Sequence, residues 1–439
     1  MAPRSASSGR VLLLAAALAW PLPSRAAPVP EILSVTALED LPLPAPGEAT
    51  TGFRLGGLSD LVADGTGPDG ELAFWAVTDR GPNGSLTDPA VGDAPPKTRR
   101  TLPIPRFAPL LLRLSIPADG AESASSVRVA RAIPLSTPNG KPVSGRPVAA
   151  DPRAKPIVDP TTREPVPFDP DGFDTEGLAR MTDGRFWVAE EYGPSLAEAD
   201  ASGTIRRRLV PRGVRIDGAD CRVEDSLPAR YVRRRDNRGF ESLALSPDGT
   251  RLFALMQSPL EQGIPEATSP PVAPDLDVPL LVLDASSGHV LEEHAYRLGD
   301  GDGDTCDWCV ASADGKVSAV AAIGRRALLV LEQSDRDLRL YRLDLPDGAT
   351  PGPAAAVKSL VADLAHLADE FHRSMVPGAT EAPARLSDLK FEGMAIVGPD
   401  RVALVNDNDF DIAPHGAAAS SPPSRRTCLW LLRIPRALE

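Results

Sequence analysis

A hairpin unit recurs along the sequence, and its best-defined copy spans Gly172 to Gly203. A short apolar strand follows Glu176, and the pair Asp183-Gly184 then strongly favours a two-residue turn. The returning strand, Phe186 to Ala189, leads into Glu190-Glu191. Because the start of one antiparallel strand lies beside the end of its partner, these acids are expected to meet at one sheet edge. Like charges held this close repel unless a cation or a proton lies between them.

Other segments of the chain repeat this plan, with a polar residue leading the first strand and another ending the second. The expected pairs of lead and end residues are Ser59 with Asp79, Glu176 with Glu190, Glu241 with Gln257, Ser318 with Glu332, and Glu392 with Asn406 or Asp407. Repeated hairpins of this kind are typical of a β-propeller, in which the first strand of each blade lines a central axis. Two β-sandwich domains are the alternative architecture.

The predicted fold is therefore all-β, a single β-propeller of six or seven blades. Long proline-rich loops join the strands, and apolar residues at helical spacing predict one inserted helix over residues 354–373. The last strand, Thr427 to Ile434, is expected to complete a blade begun near the N-terminus, which removes a free sheet edge.

The first residues of the chain predict export. Arg4 and Arg10 precede the apolar run Val11 to Trp20, and small residues follow it, as in a signal peptide. We expect a signal peptide over residues 1–26, one propeller domain over residues 27–439, and a periplasmic or secreted protein. A retained N-terminal anchor is the alternative, although the run is short for a membrane span.

The acidic composition limits the classes of partner. Cleavage would remove three arginines and no acidic residue, so the formal net charge would change from −13 to −16. A chain this acidic argues against nucleic-acid binding and favours solubility or cation binding. We expect a monomer without stable membrane insertion after cleavage, acting on a small anionic ester.

Four cysteines, at positions 221, 306, 309 and 428, suggest disulfides in an exported chain, and three connectivities remain open. The spacing of Cys306 and Cys309 also occurs in redox motifs, but no βαβ pattern surrounds them, which favours a structural disulfide.

The lead and end acids predict a metal site. If the hairpins converge on one axis, their carboxylates form a ring that suits calcium or another hard cation. The candidate metal ligands are Glu176, Glu190, Glu241, Glu392 and Asp407. The alternative is that each acid caps its own turn by accepting backbone N–H groups. The run Asp300 to Asp304 resembles half of a calcium loop, and either a solvated turn or a peripheral calcium site fits it.

Four motifs carry a family resemblance. They are FDTEGLARMTDGRFWVAEEYGPSL, RGFESLALSPDGTRLFALMQSPL, FEGMAIVGPDRVALVNDND and VTDRGPNG. In combination they resemble the phytase-like family described by an esterase-like activity of phytase, over about residues 30–435. The resemblance implies a secreted or periplasmic β-propeller of hydrolase type. The motif of the Asp-Pro-Ala-Ile-Trp type that marks calcium-dependent β-propeller phytases is not found, so phytate is not the expected substrate.

Together these features lead to the hypothesis of a calcium-assisted hydrolase of phosphate or carboxylic esters. Asp79 or Glu191 is the candidate general base, and the neighbouring Arg80, Arg235 and Arg238 are candidates for binding the anion. A non-catalytic envelope propeller stabilised by calcium, or a lactonase, is the alternative function.

Overall fold

The repeated hairpins each begin a separate sheet in the computed structural model of the protein. The structure describes residues 29–44, 52–67, 70–88, 97–117, 126–150, 155–261, 276–299, 315–347, 356–412 and 425–434. The predicted signal peptide, the run Asp300 to Asp304, Cys306 and Cys309 lie outside these residues. Cys221 and Cys428 are free thiols.

Twenty-five strands are present in the described residues. The first thirteen are β1 (Glu31–Ala37), β2 (Leu58–Thr66), β3 (Leu72–Thr78), β4 (Gly84–Asp88), β5 (Lys97–Thr101), β6 (Leu110–Ile116), β7 (Arg128–Pro134), β8 (Ile157–Val158), β9 (Pro165–Val166), β10 (Thr175–Arg180), β11 (Phe186–Glu190), β12 (Ser195–Ala199) and β13 (Ile205–Pro211). The others are β14 (Arg222–Leu227), β15 (Phe240–Leu245), β16 (Arg251–Met256), β17 (Asp277–Asp284), β18 (Val290–Arg297), β19 (Lys316–Ala322), β20 (Ala327–Gln333), β21 (Leu338–Asp344), β22 (Val357–Asp363), β23 (Phe391–Gly398), β24 (Arg401–Asn406) and β25 (Cys428–Arg433).

Five sheets share one plan. Their strand orders are β2-β3-β6-β7, β10-β11-β12-β13-β14, β15-β16-β17-β18, β19-β20-β21-β22 and β23-β24-β25-β1. Each first strand packs against the first strands of two other sheets, in the order β2, β10, β15, β19, β23 and again β2. The all-β prediction is confirmed, and this packing is the one that a propeller requires.

The predicted number of six or seven blades is not found, because five sheets of the described chain have this arrangement. In the described residues, much of the remaining length lies in the connections from β3 to β6 and from β7 to β10. These connections carry four short strands, β4, β5, β8 and β9, which form a small separate sheet. Strands of two to five residues leave little periodicity, so the sequence predicts long proline-rich loops and not these strands.

The end strands of the described chain meet in one sheet. β1 pairs antiparallel with β25, from Glu31 beside Arg433 to Ala37 beside Cys428. The last strand is predicted to complete a blade begun near the N-terminus, but the roles are reversed: the N-terminal β1 is the outer strand of a sheet whose first strand is β23. Pairing of this kind covers an edge that would otherwise present free backbone groups.

One α-helix is present among the described residues, and its position differs from the prediction. α1 spans Ala368–Met375, whereas the first part of the predicted helix forms the strand β22. Val357 and Leu360, which fitted the helical spacing, are 64% and 43% exposed on this outer strand. Pairing with β21 outweighs the helical pattern there, because a helix would leave the backbone of β21 without its partner.

A bulge recurs at the same place in all five inner hairpins. The pairing shifts between Leu58 and Asp60, and at the corresponding residues of the other first strands, which are Thr175 to Leu178, Phe240 to Ser242, Val317 to Ala319 and Phe391 to Gly393. A bulge places two residues opposite one and redirects their side chains. The residue at each bulge is the lead residue identified from the sequence.

The residues that follow the lead residues meet at the axis, where little space is available. A Cβ atom on Gly177 would lie 2.8 Å from the backbone nitrogen of Leu243, and one on Gly393 would lie 2.8 Å from that of Leu61. Among the residues that follow the lead residues, Asp60 is the acidic one. It is 1% exposed and accepts hydrogen bonds from the backbone N–H groups of Leu61 and Leu178, both at 2.8 Å.

Ser242 extends this contact to further sheets. Its hydroxyl donates to Asp60 Oδ2 at 3.3 Å and accepts the backbone N–H of Val320 at 3.0 Å. The first strands β2, β10, β15 and β19 are thus joined through one carboxylate and one hydroxyl. Burial raises the pKa of Asp60 well above its usual range, and the hydrogen bonds oppose that effect.

Replacing this carboxylate should destabilise the fold. Asp60→Ala leaves N–H groups buried without acceptors, so we expect the free energy of unfolding to fall by about 3 kcal/mol. Urea denaturation measures the change, and Asp225→Ala, on an exposed part of β14, is the control. A loss no larger than that of the control would contradict the role of Asp60.

A second buried carboxylate generates a pH-dependent prediction. Glu292 accepts hydrogen bonds from Arg251 at 2.7 Å and from Arg326 at 2.7 and 2.8 Å, which links two neighbouring sheets. These arginines, Arg326 first, hold the pKa of Glu292 well below its usual range. The stabilisation is therefore complete above about pH 5 and is lost as the pH falls through the lowered pKa.

Glu292→Gln should lower the melting temperature at pH 7, and the difference from the wild type should shrink steadily below about pH 4. Thermal unfolding followed by circular dichroism over this pH range measures both. A difference that stays constant across the range would show that the ionised carboxylate contributes no stability.

Candidate metal centre

The inner hairpins end on a cavity of about 470 Å³ whose lining side chains are all polar or charged. The last residue of the second strand of each hairpin, or the residue directly after it, reaches this cavity. These five residues are Asp79, Glu191, Gln257, Gln333 and Asp407. The predicted convergence of strand ends on one face is therefore present in the structure.

Each of these end residues pairs with the residue two positions before a lead residue. The backbone N–H of Glu191 donates to the carbonyl of Asp174 at 3.0 Å, and that of Asp407 donates to the carbonyl of Lys390 at 2.9 Å. The residues at this repeated position are Gly57, Asp174, Gly239, Lys316 and Lys390. The cavity lining thus draws on three repeated positions of the hairpins: the end residues, the lead residues Glu176 and Glu392, and Lys316 and Lys390 two positions before a lead residue.

Three acids from one hairpin form the densest cluster. Asp174, Glu176 and Glu191 each place a carboxylate oxygen within 4.8 Å of the others. Their exposed fractions are 0%, 8% and 2%. Oδ1 of Asp174 is buried and has no hydrogen-bond partner. A buried carboxylate oxygen without a partner is costly, and a cation bound by the three acids would satisfy it.

The electrostatics of this cluster favour a bound cation or a proton. Burial raises the pKa of Glu176 and of Glu191 well above the usual range, and the neighbouring acids raise both further. Burial also raises the pKa of Asp174, while Arg80 opposes this change. A divalent cation would stabilise all three ionised forms.

Arg80 is held beside the cluster. It donates to Asp174 Oδ2, and it donates to Asn237 Oδ1 at 2.8 Å. Its guanidinium group lies 4.7 Å from the centre of the Tyr192 ring. Arg100, from β5 of the small sheet, donates to the same oxygen of Asn237. The small sheet therefore fixes one wall of the cavity.

Asp79 lies in the same cavity as the cluster and is 6% exposed. Its Oδ1 accepts the backbone N–H of Gly81 at 2.8 Å. Burial raises its pKa well above the usual range, and Asp407 adds to the effect while Arg80 opposes it. A carboxylate with such a pKa can accept a proton near neutral pH.

Two lysines neutralise the other predicted metal ligands. Nζ of Lys316 lies 3.1 Å from Glu392 and 3.5 Å from Glu241, and Lys390 contacts both Asp407 and Asp409. Burial raises the pKa of Glu241 to about 7, although Lys316 opposes the change. Burial likewise raises the pKa of Asp407 to about 7 against the effect of Lys390.

Glu190 is placed away from the cavity lining. Its carboxylate contacts Arg208 at 3.2 Å and accepts the backbone N–H of Gly193 at 2.7 Å. The sequence reading paired Glu176 with Glu190, but the bulge moves the contact to Glu191. Glu332 shows the same one-residue offset, since Gln333 is the residue that lines the cavity.

The structure places two of the three predicted anion-binding arginines at the cavity. Arg80 and Arg238 line the cavity, and Nη1 of Arg238 is buried without a hydrogen-bond partner. Arg235 is not among the lining residues, and its backbone carbonyl accepts hydrogen bonds from Arg234 and Arg238.

Sequence reasoning missed Asp174, Lys316 and Lys390. A signal was present, because all three stand two residues before a lead residue that had been identified. Aligning the repeats on that position would have shown one acid and two lysines facing the ring.

A family model described as "Esterase-like activity of phytase" matches residues 54–410. The chain belongs to this phytase-like family. A secreted protein of Arthroderma benhamiae, named as uncharacterized, is 33% identical over 101 residues, which is 20% of this chain and 20% of the relative. The phytase-like chain thus matches only about a fifth of that relative's length. In the described residues, no helix has the length and apolar character needed to cross a membrane.

Solved structures show a weak likeness to the phytase-like chain. A PQQ-bound aldose sugar dehydrogenase from Streptomyces coelicolor is 13% identical, covers 93% of this chain and 100% of its own, and has a TM-score of 0.33. The structure of U3-55K is 11% identical, with coverages of 91% and 99% and a TM-score of 0.33. Scores this low carry no argument about activity.

Two adjacent glutamates give a matched test of the metal centre. Glu191→Gln should weaken calcium binding by at least about tenfold, because it removes an oxygen ligand from the buried cluster. Glu190→Gln should leave calcium affinity unchanged and lower thermal stability, since Arg208 loses its carboxylate. Isothermal titration calorimetry with calcium chloride measures the affinities, and equal affinities for the two variants would contradict the placement of the metal.

Proposed function

We propose that this phytase-like protein is an exported, metal-assisted hydrolase of phosphate or carboxylic esters. The observation that carries the proposal is the buried cluster of Asp174, Glu176 and Glu191, with its unpartnered oxygen, beside a cavity that also contains arginines. Membership of a family described by an esterase-like activity supports the reaction class. The secreted relative supports export.

We also propose that the five sheets are the blades of one five-bladed propeller. The cyclic order of contacts between β2, β10, β15, β19 and β23 supports this architecture. In such a ring the axis is shared by all blades, so side chains from different sheets can act on one small molecule.

The three carboxylates would hold the cation, and calcium fits their all-oxygen character. When bound, the cation would polarise an ester oxygen and lower the pKa of a coordinated water. Arg80 keeps Asp174 in place through their ion pair. Because the acids come from a bulged strand and from the end of its partner, their separation is fixed by the hairpin and does not depend on a loop.

Asp79 is the proposed general base. It lies in the cavity but outside the cluster of three acids, and its raised pKa favours proton transfer from an attacking water. Glu191, the other candidate from the sequence, belongs to the cluster and is assigned there to the cation.

Arg238 and Arg80 are the proposed contacts for the anionic part of the substrate. The unpartnered Nη1 of Arg238 and the unpartnered Nε of Arg80 are both buried, and each could donate to a phosphate or carboxylate. Arg235 is left out of this proposal because its side chain does not line the cavity.

Turnover by the mature protein on chromogenic phosphomonoester, carboxylic-ester and lactone substrates tests the function. We expect release from a phosphate or carboxylic ester, loss of release with a calcium chelator, and recovery when calcium is restored. Turnover of the lactone alone would identify a lactonase. No turnover by a protein that calcium protects against thermal unfolding would favour a binding propeller instead.

Asp79→Asn separates catalysis from binding in the same assay. It should lower kcat by about 100-fold or more and leave calcium affinity unchanged, because general bases contribute on that scale. Asp183→Asn, in the exposed turn at the far end of the β10–β11 hairpin, is the matched control and should keep full activity.

A further inference from the structure

Lys316 lies between two carboxylates of neighbouring sheets. Its Nζ is 3.1 Å from Oε1 of Glu392 and 3.5 Å from Oε1 of Glu241, and its side chain is 16% exposed. The other oxygen of Glu241 accepts a hydrogen bond from Gln257 at 2.5 Å. One oxygen of each carboxylate therefore faces the same ammonium group, as both would face a metal ion.

The repeat gives this position a counterpart in another sheet. Lys316 stands two residues before Ser318, and Asp174 stands two residues before Glu176. In the β10 sheet this position adds a third carboxylate to a cluster that carries an unpartnered oxygen. In the β19 sheet the same position adds a positive charge. One repeated position thus supplies opposite charges to two parts of one ring.

We propose that the ammonium group of Lys316 occupies the place of a second divalent cation, so that Lys316 limits the ring to one metal. The proposal rests on the proposed metal at Asp174, Glu176 and Glu191 for the first cation only. Lys316 is thus a residue that sets metal stoichiometry, and no contact with substrate is required of it.

Removing the ammonium group of Lys316 should make the binding of another cation at this position strongly favourable. Glu241 and Glu392 would remain buried with like charges facing each other, and Glu176 interacts electrostatically with both. A divalent cation relieves such repulsion, and carboxylate oxygens are the ligands that calcium prefers. Lys390 does not replace the missing charge between Glu241 and Glu392, because it contacts Asp407 and Asp409.

Calcium stoichiometry measured by titration calorimetry and by elemental analysis tests the proposal. The wild type should bind one calcium per chain in the ring, and Lys316→Met should bind two. Adding Glu392→Gln to Lys316→Met should return the count to one, since the new site loses a ligand. Lys316→Arg, which keeps the positive charge, should bind one.

Lys141→Met is the matched control. Lys141 also lies between two acids, 2.8 Å from Asp169 and 3.2 Å from Asp171, but it lies outside the cavity and is 46% exposed. Its removal should add no calcium. A gain in that variant equal to the gain in Lys316→Met would overturn the proposal, because any lysine lost beside two acids would then have the same effect.

The remaining outcomes separate this inference from the proposed function. A folded Lys316→Met protein that binds no more calcium than the wild type, or a wild type that binds two in the ring, overturns the role of Lys316. A wild type that binds none, with one calcium in Lys316→Met, supports the role of Lys316 and removes the first metal. If Lys316→Met does not fold, Lys316→Gln gives the same count, since it also lacks the charge.

Discussion

The hydrogen bonds to the buried carboxylate of Asp60 hold the centre of this protein together. Strands of separate sheets cannot share a regular ladder, so their inner edges need another way to satisfy backbone N–H groups. Asp60 accepts hydrogen bonds from backbone N–H groups of β2 and β10. Ser242, on β15, donates to Asp60 and accepts a backbone N–H group of β19. The small residues Gly177 and Gly393 allow the strands to approach this point. The positions of the lead residues on these four strands therefore depend on this arrangement.

The bulge at each lead residue recurs at the same place in all five hairpins, so that corresponding residues of the hairpins lie near one face of the protein. All five hairpins have the same three positions near this face, but the residues there are not the same. One hairpin presents Asp174, Glu176 and Glu191 together, whereas two others carry Lys316 and Lys390. The face is therefore acidic on one side and internally neutralised on the other, and a single substitution per blade is enough to change its charge.

The sequence predicted the class of fold and the convergence of the hairpins, because strand alternation and Asp-Gly turns are local signals. It also named several cavity residues, such as Asp79, Glu176 and Glu392. It could not decide between adjacent candidates, because a bulge shifts the pairing by one position without a mark in the sequence. Glu190 and Glu191 differ by that shift alone, and they have separate surroundings in the structure. The helix predicted over residues 354–373 was wrong in its first half, since pairing with β21 depends on a tertiary contact that periodicity does not report. The blade number could not be predicted either, because the described parts of the connections from β3 to β6 and from β7 to β10 lie outside the five sheets.

The pairing of β1 with β25 has a consequence for the order in which the chain can fold. The two strands are joined by an ion pair between residues 402 positions apart, and β1 has no other strand neighbour in its sheet. During synthesis from the N-terminus, β1 is made before the other strands of the described chain. Its partner β25 is made only after almost all of that chain. Contacts this distant in sequence make folding slow. The sheet that contains both strands therefore stays incomplete until the last strand of the described chain has been made.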